Sequence, residues 1–171
     1  MGGSLSDEPG PVVAVALNNM GANKLDAFLD ARVVFDVGRC PTKSTQRSSI
    51  QVSLLNDPPA DLTGDNYGFT EPDGSPVPDA PAGYNRLLVQ VYAPLGANYV
   101  SSTLDGVEQT MFVGSERNRP LWWANIDVPA GQQRTLEVSF DEPTVLGVEP
   151  SVMTQAIVND VTIEANTGDG C

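Results

Sequence analysis

From Leu25 to Val37 the apolar residues fall on every second position. Leu25, Ala27, Leu29, Ala31, Val33, Phe35 and Val37 alternate with an even-numbered set that includes Lys24, Asp26, Asp30, Arg32 and Asp36. Successive side chains of an extended strand point to opposite faces, so period two gives one buried face and one wet face. A helix would scatter the same residues around its circumference. The opening residues 23–29 also fit a single helical turn with Leu25, Phe28 and Leu29 together. Strand is expected from Ala31 onward, and the first turn stays open.

The same alternation recurs along the chain. It turns Ile50, Val52 and Leu54 inward from 48–55, and Leu87, Val89 and Val91 from 85–93. Residues 98–104 repeat it weakly, and 107–113 put Val107, Met111 and Val113 on one face. Trp122, Ala124, Ile126 and Val128 follow, then Leu136, Val138 and Phe140. The run 152–164 is long enough for Asn159-Asp160 to mark a bulge or a corner. Turn residues separate these runs at Asp105-Gly106, Asn118-Arg119-Pro120, Pro129-Ala130-Gly131 and 143–150. No amphipathic helix of useful length and no internal repeat interrupts them. The expected fold is all-β, an antiparallel β-sandwich, immunoglobulin-like in general architecture, of about 7–9 strands.

A chain of 171 residues suffices for one domain with a full core. Residues 12–171 are expected to form it, after a flexible leading segment 1–11. Met1-Gly2-Gly3-Ser4 lacks the basic and apolar regions of a signal peptide. The stretch 57–83, rich in Pro, Asp and Gly, breaks the alternation and reads as a long loop or insert. Tyr67 and Phe69 would pack it partly onto the body; the alternative is a mobile loop.

Nine Lys and Arg against twenty-two Asp and Glu leave a net charge of −13. Such a surface repels phosphate backbones and anionic lipid, which argues against nucleic-acid partners and against membrane contact by this segment. Cations, basic proteins and neutral polymers such as glycans remain, as does plain solubility. The chain has no histidine. The commonest general base and metal ligand is therefore missing, and a domain that is not an enzyme, with no cofactor and no metal, is expected. The two cysteines are Cys40 and Cys171. A disulfide between them would pin the polar tail 166–170 and imply an oxidising compartment. Targeting and anchoring sequences would then lie outside this chain, in a larger protein.

Trp122-Trp123 is the most informative local feature. If Trp122 is buried with Ala124 and Ile126, then Trp123 points outward with Asn125 and Asp127. An outward Trp beside amide and carboxylate groups suits stacking on a sugar ring, and these three residues are the candidate ligand-binding set. The alternative is that the long loop or another domain covers Trp123. Asp57, Asp61, Asp65, Asn66, Glu71, Asp73 and Asp79 are oxygen ligands of the kind calcium takes, without the spacing of an EF-hand, and they are also ordinary turn residues. Glu108, Glu116, Asp127, Glu137 and Asp141 could supply a carboxylate pair for glycan hydrolysis. No Gly-rich phosphate loop, CxxC or G-x-S-x-G is present.

Several short motifs stand out: Asn18-Asn19-Met20-Gly21-Ala22-Asn23-Lys24-Leu25-Asp26-Ala27-Phe28-Leu29, then Leu54-Leu55-Asn56-Asp57-Pro58-Pro59 and Gly83-Tyr84-Asn85-Arg86. Val91-Tyr92-Ala93-Pro94-Leu95-Gly96-Ala97, Val128-Pro129-Ala130-Gly131 and Phe140-Asp141-Glu142-Pro143 complete the set. Together they resemble the C-terminal region of large actinobacterial envelope proteins, the domain-of-unknown-function 4012 family. The likeness spans residues 12–143 and departs at Ala27, where the family often has an aromatic. It implies a secreted, membrane-anchored Gram-positive cell-surface protein, in some members associated with surface polysaccharide, and carries over no catalytic residue. The expected role is a non-catalytic extracellular domain contacting cell-wall polysaccharide or an envelope protein. The alternatives are a structural spacer or docking domain with no ligand of its own, and a carboxylate-based glycan-processing enzyme.

Overall fold

The computed structural model describes residues 9–21, 23–38, 44–62, 68 and 81–168. Eleven strands are formed among them. In chain order they are β1 (Val12–Asn19), β2 (Leu29–Val37), β3 (Thr45–Asn56), β4 (Asn85–Tyr92), β5 (Asn98–Leu104), β6 (Val107–Glu108), β7 (Phe112–Glu116), β8 (Arg119–Val128), β9 (Gln132–Pro143), β10 (Ser151–Thr154) and β11 (Thr162–Thr167). They build a five-stranded sheet, β10-β1-β4-β8-β7, and a six-stranded sheet, β11-β2-β3-β9-β5-β6. The expected all-β sandwich is what forms. Its central ladders are antiparallel, whereas β10 pairs parallel to β1 and β11 parallel to β2.

The core lies between the sheets and is made of the alternating residues. Val33, Phe35, Ile50, Val52, Leu54, Val89, Val91, Ile126, Val128, Leu136, Val138 and Phe140 are all 0 % exposed. Trp122 sits among aromatic rings, 5.4 Å from Phe140 and 5.6 Å from Tyr99 between centroids. The ambiguous first turn is helical: Leu25–Phe28 is one turn of 3-10 helix, and β2 begins at Leu29.

Three elements differ from the expectation. β1 carries no visible alternation, because Ala14 and Ala16 occupy its outer face and make the run from Val12 to Leu17 continuously apolar. The run 107–113 is two strands in different sheets. Met111 is buried at the crossing, while Val107 and Val113 are 70 % and 62 % exposed because the edge strands overhang the core. The run 152–164 turns a corner between sheets, where Asn159 Nδ2 donates to the carbonyls of Leu29 (3.0 Å) and Ala27 (3.3 Å).

The register gives the sandwich two distinct ends. β1 starts, and β11 finishes, at one end. At the other, β1, β3 and β8 finish at Asn19, Asn56 and Val128, while β2, β4 and β9 start at Leu29, Asn85 and Gln132. The stretch 57–83 departs from this second end. No helix among the described residues is long and apolar enough to cross a membrane. Cys40, Cys171, Tyr67 and Phe69 lie outside the described residues.

β7 and β8 are joined through Arg117 and Asn118, both at positive φ (49° and 63°). Two left-handed residues make the hairpin turn whose twist matches its strands, but an Arg there is strained. The double variant Arg117→Asn/Asn118→Gly should raise stability by about 1 kcal/mol. Urea unfolding would show this as a higher midpoint; an unchanged midpoint would count against strain in the turn.

Candidate functional site

The hairpin register places Trp123 between Gln90 of β4 and Phe112 of β7, on the outer face of the five-stranded sheet. Its ring stacks on Phe112 with centroids 5.8 Å apart and planes at 19°. It also lies over Gly114, where an added Cβ would sit 3.0 Å from the indole. An aromatic laid across an edge-strand glycine replaces packing that the glycine lacks. Trp123 is therefore half-buried by its own edge strand, and Phe112, 62 % exposed, is the more open ring. Strand parity alone does not point to Phe112. The Arg117-Asn118 turn, recognised as a two-residue hairpin, sets the 112–123 pairing and would have found it.

Asn125 is exposed opposite Leu88, two residues along from Trp123. Asn18 Nδ2 donates to Gln90 Oε1 at 2.8 Å, so amides also flank the indole on its β4 side. Asp127 shares this face but is already engaged, accepting from Arg86 Nε at 2.6 Å and Nη2 at 3.2 Å. Burial pushes its carboxyl pKa up, yet the hydrogen bonds from Arg86 and Tyr84 outweigh burial and hold it below the ordinary aspartate value. The three candidate residues thus lie on one face, with Asp127 serving to fix Arg86 and Tyr84.

The other acids considered for catalysis are spread over the surface. Asp141 pairs with Arg47 at 2.8 and 3.0 Å, and Glu116 accepts from Tyr92 Oη at 2.9 Å. Glu108 and Glu137 flank Thr103 from either side. Glu137 also borders a depression of about 270 Å³ with Asp36, Arg47, Ser48, Ser49 and Ser139. Among the described residues no three acidic groups come together as a metal site. Asp57 and Asp61 are exposed, and Asp65, Asn66, Glu71, Asp73 and Asp79 lie outside the described residues.

A second cluster forms at the end from which 57–83 departs. Asn56 is fully buried. Its Nδ2 donates to the carbonyls of Gly83 (2.7 Å) and Val128 (2.8 Å), and its backbone carbonyl accepts from Gly131 N (2.7 Å). A Cβ on Gly83, at φ 73°, would lie 3.1 Å from both Pro58 and Ala130. Nearby, Asn19 Nδ2 donates to Asn23 Oδ1 (2.9 Å) and Asp26 Oδ1 (3.0 Å). Four motifs that read as separate turns in the sequence thus meet at one end of the fold.

At the opposite end Glu142 is 1 % exposed. Its carboxylate accepts from Ser48 Oγ (2.5 Å) and Gln46 Nε2 (3.3 Å). Burial raises its pKa, and these two hydrogen bonds offset that only in part. Gln46 also borders a cavity of about 160 Å³ with Val37, Gly38, Leu146, Val148 and Gly168.

No family model matches this chain, and no curated protein matches it. Solved structures similar in part include M1 zinc metallopeptidases. A two-domain M1 zinc metallopeptidase variant bound to L-tryptophan shows 10 % identity over 72 % of this chain and 22 % of its own, with a TM-score of 0.34. The M1 zinc metallopeptidase from Deinococcus radiodurans shows 10 % identity over 70 % of this chain and 21 % of its own, with a TM-score of 0.33. The chain thus spans about a fifth of the length of these structures.

Glu142 and Trp123 each carry a stability prediction. The folded-state pKa of Glu142 is raised, so its contribution is greatest when protonated and is lost as pH rises through that value. Glu142→Gln should therefore be more stable than the parent at pH 7, with the advantage shrinking towards pH 4. Urea unfolding at both pH values would check this, and a constant difference would refute it. Trp123→Ala should cost about 1–2 kcal/mol, less than the loss of a fully buried aromatic, because it uncovers Gly114. Phe112→Ala should cost less than about 1 kcal/mol, because its ring is mostly exposed. Equal costs in thermal unfolding would contradict the assigned cover.

Proposed function

We propose that this chain is a non-catalytic domain of a bacterial cell-surface protein, contacting envelope glycan or an envelope protein through the outer face of β8. The observation that carries this reading is the Phe112–Trp123 stack beside the amides of Asn18, Gln90 and Asn125. The C–H face of a sugar packs on an aromatic ring while amides bond its hydroxyls, and neither interaction needs opposite charge. A chain of net charge −13 is suited to a neutral polymer.

An extracellular setting agrees with a Cys40–Cys171 disulfide. Gly38 and Gly168, the described residues nearest the two cysteines, adjoin: Gly168 N donates to Val37 O at 2.6 Å, and a Cβ on Gly168 would lie 3.4 Å from Gly38 Cα. Such a bridge would stabilise the fold by about 4–5 kcal/mol in the chain-entropy model. Mass spectrometry without reductant should find the two cysteine peptides joined, and reduction should lower Tm. Two free thiols in protein from an oxidising compartment would remove this support.

Co-sedimentation with insoluble cell wall from an actinobacterium, at low and high salt, tests the binding role. Retention that persists in high salt and falls several-fold in Phe112→Ala and Asn125→Ala is the expected result. Retention unchanged in both variants would refute the site. The overhanging edge, with Val107 and Val113 open, favours a second reading, a docking domain held by another protein. Absence of the parent from the pellet would select it.

A further inference from the structure

At the end of the sandwich closed by Asn56, four side-chain atoms are buried without a hydrogen-bond partner among the described residues. They are Asn23 Nδ2, Asn56 Oδ1, and both Oδ1 and Nδ2 of Asn85. Asn56 and Asn85 are each 0 % exposed. A buried amide left dry forfeits its hydration and gains nothing, so native interiors rarely hold one.

The two asparagines share backbone neighbours. Asn56 Nδ2 reaches the carbonyl of Val128, which is the cross-strand partner of Asn85. It also reaches the carbonyl of Gly83, two residues before Asn85. Asn85 points inward from the five-stranded sheet and Asn56 from the six-stranded one. A direct bond between the two side chains would satisfy Asn56 Oδ1 and Asn85 Nδ2 but leave Asn85 Oδ1 unmet. A cation would take the two oxygens but face the donor Nδ2, which an oxygen-only coordination shell excludes. Water both donates and accepts, and matches two acceptors and one donor together.

We propose that an ordered water bridges Asn56 Oδ1 to both polar atoms of Asn85 and secures the neck of the 57–83 stretch to the body. Asn56 immediately precedes that stretch, Gly83 closes it, and Pro58 lies against Gly83. Sheet-to-sheet contact at this end therefore includes a hydrated amide pair beside the buried side chains of Leu29 and Val128.

Water–amide cross-relaxation in the intact protein, together with a crystal structure that resolves waters, tests the proposal. The expected result is one long-lived water within hydrogen-bond distance of Asn56 Oδ1 and of both polar atoms of Asn85. Asn85→Leu keeps the branched shape but strands Asn56 Oδ1. It should lower Tm and speed amide exchange at Tyr84 and Gly131, whose N–H groups donate to Pro81 O and Asn56 O, by tenfold or more. A dry, directly bonded pair in the parent protein would overturn the proposal, as would a cation ringed by oxygens at this point. A Tm for Asn85→Leu equal to or above that of the parent would also overturn it. If Asn85→Leu does not fold, the measurement on the parent protein alone decides.

Discussion

The fold depends on one continuous ladder. β3 and β9 pair over twelve rungs, from Thr45 opposite Pro143 to Asn56 opposite Gln132. Ile50, Val52 and Leu54 on one strand and Leu136, Val138 and Phe140 on the other all turn inward. A slip of one residue would send every one of them to solvent, so the buried face holds the register along its full length. β2 and β5 then add to the two sides of this pair, and the five-stranded sheet closes over it with Trp122 at the centre.

What could be read from the sequence follows from that dependence. Strands with one buried and one wet face carry their pattern openly, as β2, β4 and β9 do. β1 hides its pattern because alanines replace polar residues on its outer face. β6 and β7 mislead for the opposite reason. They extend past the opposing sheet, so Val107 and Val113 keep the alternation of a core strand with no core above them. The parallel pairing of β10 and β11 depends on where distant chain segments are carried, which no local pattern records.

The candidate face divides the same way. Parity alone sends Trp123, Asn125 and Asp127 outward together. It is silent on Arg86, which captures Asp127 from the neighbouring strand, and on Phe112, which arrives through a hairpin. In the sequence Asn56 only follows the run 48–55 and Asn85 only opens the run 85–93. Their significance is burial, and burial follows from the meeting of four strand ends.

Val12 and Thr167 leave the sandwich at one end, while Asn56 and Asn85 bracket the long stretch at the other. Chain continuing beyond either terminal strand would tether the domain from a single side, as a stalk holds a bud. The end that carries Asn56 and Asn85 would then lie farthest from the tethers. Length added at that end would extend the molecule's reach without stretching either connection.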